Sequence, residues 1–450
     1  MRALFWTSTS LMIAAAAACA SSDEEKGSTL PPVPDSGAPL ASDDGGDDTP
    51  DAKDAAADGQ LDGGAGCSAA GWCPTSLPDN DLTLKDIWTM PGHAFAVAES
   101  PTLGCKALEW TESTGKWSYI DDGTQNQPGS TQYVGRLWAP SEDEVYFTIS
   151  PRTVFHGKRS SNANKPWAWT HQQLENRIPA DYPPQPLNAE HYTGRPMDLA
   201  TATKLVSLGV FGTSASDVYA WYGNAIYRMS SGDDGNPTWA VDYVADDLDR
   251  ADEQLFFLGA TATSSNDVWF GGARTGKVYE YRSCAMAVHK TAAGYQRAVD
   301  GVGNSSGCEP RPDSGAVVVG GASGWFTDMR SVSPNSIIGL KGGQTVVRIS
   351  GTGDTYSVDL SQIPLLAPQA SKQFMFLSIS AAPDDTLWLG GFGLVAQAKN
   401  VWDGDAGSYR VSTIALNGSF TNMTVYQIRA SSNADVWAVG DRNALHKTTP

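Results

Sequence analysis

The sequence predicts an all-β protein, a seven-bladed β-propeller of four-stranded antiparallel blades, and three observations carry that prediction. A short phrase recurs: Asp435-Val436-Trp437-Ala438-Val439-Gly440 has relatives in Asp217-Val218-Tyr219-Ala220, Asp267-Val268-Trp269-Phe270-Gly271-Gly272, Thr386-Leu387-Trp388-Leu389-Gly390-Gly391 and Glu144-Val145-Tyr146-Phe147. Each phrase also follows an apolar anchor eight residues behind: Ile428 before Val436, Val210 before Val218, Ala260 before Val268, Ile379 before Leu387, Leu137 before Val145. Two degenerate copies, Met329 before Ile337 and Ile87 before Phe95, bring the count to seven. Finally, the Val-equivalent positions (95, 145, 218, 268, 337, 387, 436) are spaced by 50, 73, 50, 69, 50 and 49 residues. A unit of this length made of short strands cannot bury its own faces, and stacking units in a ring solves that problem.

Residues 1–18 read as an export signal. Arg2 gives a positive start, an apolar run follows, and Ala16-Ala17-Ala18 places small residues before Cys19. The cysteine at that point predicts a lipidated N-terminus, with ordinary secretion as the alternative. Residues 20–66 contain no aromatic residue and hold twelve carboxylates against Lys26 and Lys53, which accounts for −10 of the net charge of −19. Such a stretch buries too little apolar surface to offset the entropy of ordering, so residues 19–66 are expected to be a disordered acidic tether.

Residues 67–450 then form one propeller, with blades near 82–128, 129–200, 201–250, 251–322, 323–370, 371–420 and 421–450 plus 70–80. The unit beginning at Leu208 shows the pattern. Residues 208–212, 217–222, 225–229 and 238–243 read as four strands, and Gly223-Asn224 supplies a tight turn. Asp217, Asp267 and Asp435, before the second strands, read as turn chemistry, and Tyr146, Tyr219, Trp269, Trp388 and Trp437 as inter-blade filler. The two long units place their extra residues within 150–202 and 283–321, read as long loops on one end of the disc, where binding commonly resides. The last unit lacks a fourth strand. Trp72, which resembles Trp117 and Trp239 of other fourth strands, predicts that the N-terminal segment completes it and removes an open sheet edge.

Six cysteines in an exported chain point to oxidation. Cys284 and Cys308 are expected to pair, and among Cys67, Cys73 and Cys105 the expected bridge joins one of the first two to Cys105. The acidic balance and the want of a basic stripe exclude nucleic acid as a partner. None of the six histidines falls in a metal-binding spacing, so no cofactor or metal is expected. Gly303-Asn304-Ser305-Ser306-Gly307 matches a nucleophile elbow in letters, but its polar surroundings are not the strand-to-helix turn that chemistry needs. The remaining candidates lie on the first strands, which line a propeller's channel: Asp86, Arg136, Asp328, Arg330 and Arg429. Arginines there can grip an anionic or sugar ligand through forked hydrogen bonds, or pair with the two aspartates to satisfy a wet channel.

The Ala18-Cys19 junction, the Asp/Gly/Ala-rich spacer and the Asp-Val-Trp-Ala-Val-Gly repeats together resemble the repeat-bearing propeller lipoproteins of myxobacterial type, distantly similar to Asp-box propellers. That resemblance implies a cell-envelope protein, held by its lipid in the outer membrane or at the cell surface. No Ser-x-Asp-x-Gly-x-Thr-Trp box and no arginine triad with a tyrosine nucleophile is present. The favoured reading is a monomeric binding module for a protein or glycan, touching the membrane only through its lipid. The alternative is a carbohydrate-active, glycosidase-like propeller using two carboxylates drawn from residues such as Asp242, Asp246, Asp247, Glu253 and Asp384.

Overall fold

The computed structural model describes residues 66–126, 133–161, 166–177, 207–231, 237–245, 253–276, 283–304, 306–312, 314–322, 324–364, 376–403, 408–412, 414–416, 419–420 and 423–449. The chain divides into two units, residues 1–61 and 62–450, and every described residue belongs to the second. The export signal, Cys19 and nearly all of the acidic tether therefore lie outside the described residues.

Alternating turn chemistry and β-rich runs produce seven four-stranded antiparallel sheets, six of them meanders of consecutive strands and the seventh completed from the N-terminal segment. The unit beginning at Leu208 forms strands Leu208–Ser214, Asp217–Tyr222, Ala225–Ser231 and Pro237–Val244, close to the sequence reading. The innermost strands of the seven blades are Thr83–Met90, Val134–Ser141, Leu208–Ser214, Glu253–Ser264, Phe326–Ser333, Phe376–Ala381 and Val425–Ser432. Each packs against the next around the ring, and the seventh packs against the first. The fold is the predicted seven-bladed propeller.

The apolar core is divided among the clefts between blades rather than gathered in one place. Phe95, Leu137, Phe147 and Trp167 fill one cleft, and Ile87, Leu108, Trp110 and Trp437 fill another. Both faces of a blade are therefore apolar, which is why Asp217–Tyr222 and Ser336–Lys341 are buried at every position and show no alternation. The glycine that ends the recurring phrase has a steric cause. A Cβ on Gly440 would lie 1.7 Å from the carbonyl oxygen of Thr424, and one on Gly272 would lie 1.8 Å from that of Phe256.

The ring closes as expected. Trp72–Pro74 pairs with Asn443–Lys447, in the register Trp72↔Lys447 and Pro74↔Leu445, and becomes the outer strand of the blade containing Trp437. Trp72 is fully buried, meets Trp388 edge to face at 5.8 Å, and donates from Nε1 to Ser412 Oγ at 2.9 Å.

Two expectations are overturned. Cys67 is bonded to Cys73, with Cα atoms 4.2 Å apart, and Cys105 is free. Cys105 lies inside the third strand of the first blade among Phe95, Val97 and Trp167, out of reach of the N-terminal turn. Nor are 150–202 and 283–321 simply loops. They contain the outer blade strands Thr153–Arg159, Trp167–Gln173, Cys284–Thr291 and Gly294–Val299. The described excess is residues 300–325, after the fourth strand of blade 4, with a small hairpin of Val302–Asn304 and Gly307–Glu309. A fourth strand runs antiparallel to the first, so this insertion sits at the end of the disc opposite the turns between first and second strands. Cys308 on that hairpin is bonded to Cys284. The Gly-x-Ser-x-Gly letters form its turn, with Ser305 outside the described residues.

Candidate functional site

The acid that opens a second strand is held the same way in four blades. Asp435 Oδ1 accepts from His446 Nε2 at 2.8 Å, and Asp267 Oδ1 accepts from Trp269 Nε1 at 2.9 Å and His289 Nε2 at 2.8 Å. Glu144 Oε1 accepts from Tyr146 Oη at 2.9 Å and His156 Nε2 at 2.7 Å, and Asp217 Oδ1 accepts from Tyr219 Oη and Arg228 Nη2, both at 2.8 Å. The histidine ring lies flat on the aromatic ring two residues past the acid: Trp269 on His289 at 3.9 Å, Trp437 on His446 and Tyr146 on His156 at 4.1 Å. In the first blade the clasp is reversed, with His93 at the acid's place bonded to Glu109 on the third strand. The sequence reading found the acids and the aromatics and missed their third-strand partners.

Electrostatics follow the geometry. The His446 hydrogen bond holds Asp435 below the usual carboxylate range, and the His156 bond does the same for Glu144. Burial pushes His289 below the ordinary histidine value, outweighing the pull of Asp267. These groups tie strands together.

The channel is different. All seven innermost strands contribute to a cavity of about 240 Å³, and its charged lining is Asp86, Arg136, Asp328, Arg330 and Arg429. All five channel candidates from the sequence are thus brought together. Asp86 Oδ2 accepts from the backbone N–H of Leu137 at 2.9 Å, and its Oδ1 accepts from Gln427 Nε2 at 2.9 Å and Arg429 Nη2 at 3.2 Å. Arg136 Nη1 lies 3.6 Å from the same oxygen. Complete burial pushes the Asp86 carboxyl above the usual range, against the pull of Arg136, the Leu137 amide and Gln427. Asp328 takes a forked pair from Arg330 at 2.8 and 3.0 Å, the backbone N–H groups of Met329 and Ile379 at 3.0 and 3.1 Å, and the Ser378 hydroxyl. Arg429 Nη1 stands 3.8 Å from Asp328, so this arginine bridges the two carboxylates.

The cavity opens past Trp88 and Phe211 into a groove of about 900 Å³, walled by Trp88, Met90, Trp138 and Phe211 and rimmed by hydroxyls of the turns between first and second strands. Trp88 meets Phe211 at 6.1 Å and Trp138 at 6.5 Å, both edge to face. The N-terminal strand starts at this same end, since Trp72 pairs with Lys447, which in turn pairs with Val436.

The carboxylates considered for hydrolysis are engaged elsewhere. Asp242 accepts from Tyr295, Asp384 accepts from Lys399 at 3.0 Å and Asn433 at 2.8 Å, and Glu253 is bound to Arg274. Asp246 and Asp247 lie outside the described residues. Among the described residues no group of three or more His, Cys, Asp or Glu side chains is arranged to hold a metal ion.

No family model matches the chain, and no curated protein matches its sequence. Solved structures do resemble it. The YCF48 protein bound to a D1 peptide aligns with a TM-score of 0.50 at 12% identity, covering 86% of this chain and 100% of that one. The β-propeller domain of Cps50 (Swd1) from Myceliophteria thermophila gives 0.51 at 8% identity over 84% and 100%. The WD40 repeats of RRP9 give 0.50 at 10% identity over 85% and 99%. At these identities the likeness is one of fold.

Proposed function

We propose that this chain is an exported, lipid-anchored propeller of the myxobacterial lipoprotein type that binds a segment of a protein partner at its channel mouth. One observation carries the binding reading. The ring gathers three arginines at its centre and places an open groove with an aromatic wall of Trp88, Trp138 and Phe211 directly beside them. A concave apolar site with a few convergent polar groups is what a binding site requires. That the similar YCF48 propeller was solved with a D1 peptide is consistent with this use of the fold. The anchoring reading rests on Arg2, the apolar run and Ala18-Cys19.

Two experiments test these readings. A photoreactive benzoylphenylalanine at Phe211, in the groove wall, is expected to give a discrete adduct in cells, and the same group at exposed Val411 is not. Equal labelling, or none at position 211, contradicts the binding reading. Fatty-acid labelling that is abolished by Cys19→Ala supports the anchor, and unlabelled, detergent-independent protein contradicts it.

A further inference from the structure

The five charges in the channel do not cancel: three arginines face two aspartates, an excess of one positive charge in a small cavity. The aspartates cannot absorb that excess. Their oxygens are already taken by the backbone N–H groups of Leu137, Met329 and Ile379 and by the side chains of Gln427 and Ser378. The arginines keep donors in hand: Arg330 forks onto Asp328 and holds a buried Nε–H without an acceptor, Arg429 reaches Asp86 and the Ile428 carbonyl, both at 3.2 Å, and Arg136 makes only long contacts to the carbonyls of Leu258 at 3.4 Å and Thr327 at 3.3 Å. A guanidinium has five N–H donors in a fork that matches a carboxylate, so capacity remains for one more acceptor.

We infer that the channel is a carboxylate site, in which Arg136, Arg330 and Arg429 receive the carboxylate of an extended peptide whose apolar side chains lie against Trp88, Met90 and Phe211. A single negative charge neutralises the excess, whereas a dianionic phosphate would reverse it. The edge-to-face setting of Trp88, Phe211 and Trp138 makes an angular crevice that suits branched side chains. This inference rests on the reading of the chain as a protein-binding module and names the chemistry of what enters it.

The test is calorimetric titration of the full-length protein with N-acetyl-leucyl-leucine, its C-terminal amide, an amidated peptide carrying one glutamate side chain, and glucuronic acid. The free acid or the glutamate peptide is expected to bind about tenfold more tightly than the plain amide. Arg429→Gln and Arg330→Gln are each expected to weaken that binding about tenfold, and Arg330→Lys to restore it only in part, because an ammonium lacks the fork. Arg297→Gln, at the far end of blade 4, should leave affinity unchanged, and thermal melts confirm that each variant folds. Which acid binds better tells a chain terminus from a side chain, and either supports the site. An amide that binds as tightly as the acid overturns the inference while leaving the protein-binding reading intact. Binding of glucuronic acid alone, or of none of the four while Phe211 still cross-links, overturns the inference as well.

Discussion

Two clusters in this ring hold the same inventory, three arginines and two carboxylates, and differ in where their donors point. At the far end of blade 4, Arg274 is 1% exposed and Asp300 fully buried. Arg274 forks onto Asp300 at 2.8 and 2.6 Å and reaches Glu253 at 2.5 Å, while Arg297 and Arg311 lie 3.1 and 3.7 Å from Asp300. The donors converge on one sealed carboxylate at the root of the 300–325 insertion. In the channel the carboxylates accept from backbone N–H groups, Gln427 and Ser378 as well as from the arginines, and the three arginines, 13–18% exposed, border open space. Charge count is the same. The direction of the donors separates a rivet from a site.

The largest effect is expected at the rivet. Arg274→Met removes the forked ion pair from two buried carboxylates and should cost about 3 kcal/mol in denaturant unfolding. A loss below about 1 kcal/mol would mean that the insertion does not depend on the cluster. Trp72→Ala gives the scale for apolar burial alone, about 3 kcal/mol at the closing strand. If it destabilises no more than an exposed substitution, the ring is not closed by that strand. Arg330→Gln in the channel should cost only about 1 kcal/mol, because Asp328 keeps its backbone donors and Ser378. A loss as large as that of Arg274→Met would make the channel structural.

A pH dependence is expected at the insertion end. Lys341 is buried, donates to the carbonyls of Val319 and Gly320 at 3.1 and 2.7 Å, and is held by burial down to about 8. Above that value the folded chain has lost the proton while the unfolded chain keeps it, so stability rises with pH between about 8 and the ordinary lysine value. The stability difference between the wild type and Lys341→Met is expected to grow by about 1 kcal/mol per pH unit in that window. A difference that does not change with pH assigns the titration to another group.

How far the sequence could be read follows from what each contact depends on. Blade number and the five channel residues follow fixed offsets within the repeat, and the closing strand at Trp72 follows from the one unit that lacks a fourth strand, so patterning exposed them. The clasp partners do not. Glu144 and His156 are 12 residues apart, Asp217 and Arg228 11, Asp435 and His446 11, but Asp267 and His289 are 22, because the turn between second and third strands varies. Only pairing register aligns them. Cys105 misled for a similar reason: its burial between blades is a property of the closed ring, and the Cys67–Cys73 bond is a local turn that competes successfully. The rivet at Arg274 was illegible because its partners lie 21 and 26 residues away on different elements.

The channel arginines keep donors for an added acid, and Arg274 of blade 4 does not. Arginine-selective labelling with phenylglyoxal, mapped by peptide mass with and without saturating N-acetyl-leucyl-leucine, tests this difference directly. Arg136, Arg330 and Arg429 are expected to react and to be protected by the peptide acid, Arg297 and Arg311 to react without protection, and Arg274 to stay unmodified in the folded protein. Protection at Arg297 and Arg311 instead, or labelling of Arg274 at the rate of the channel arginines, would contradict it.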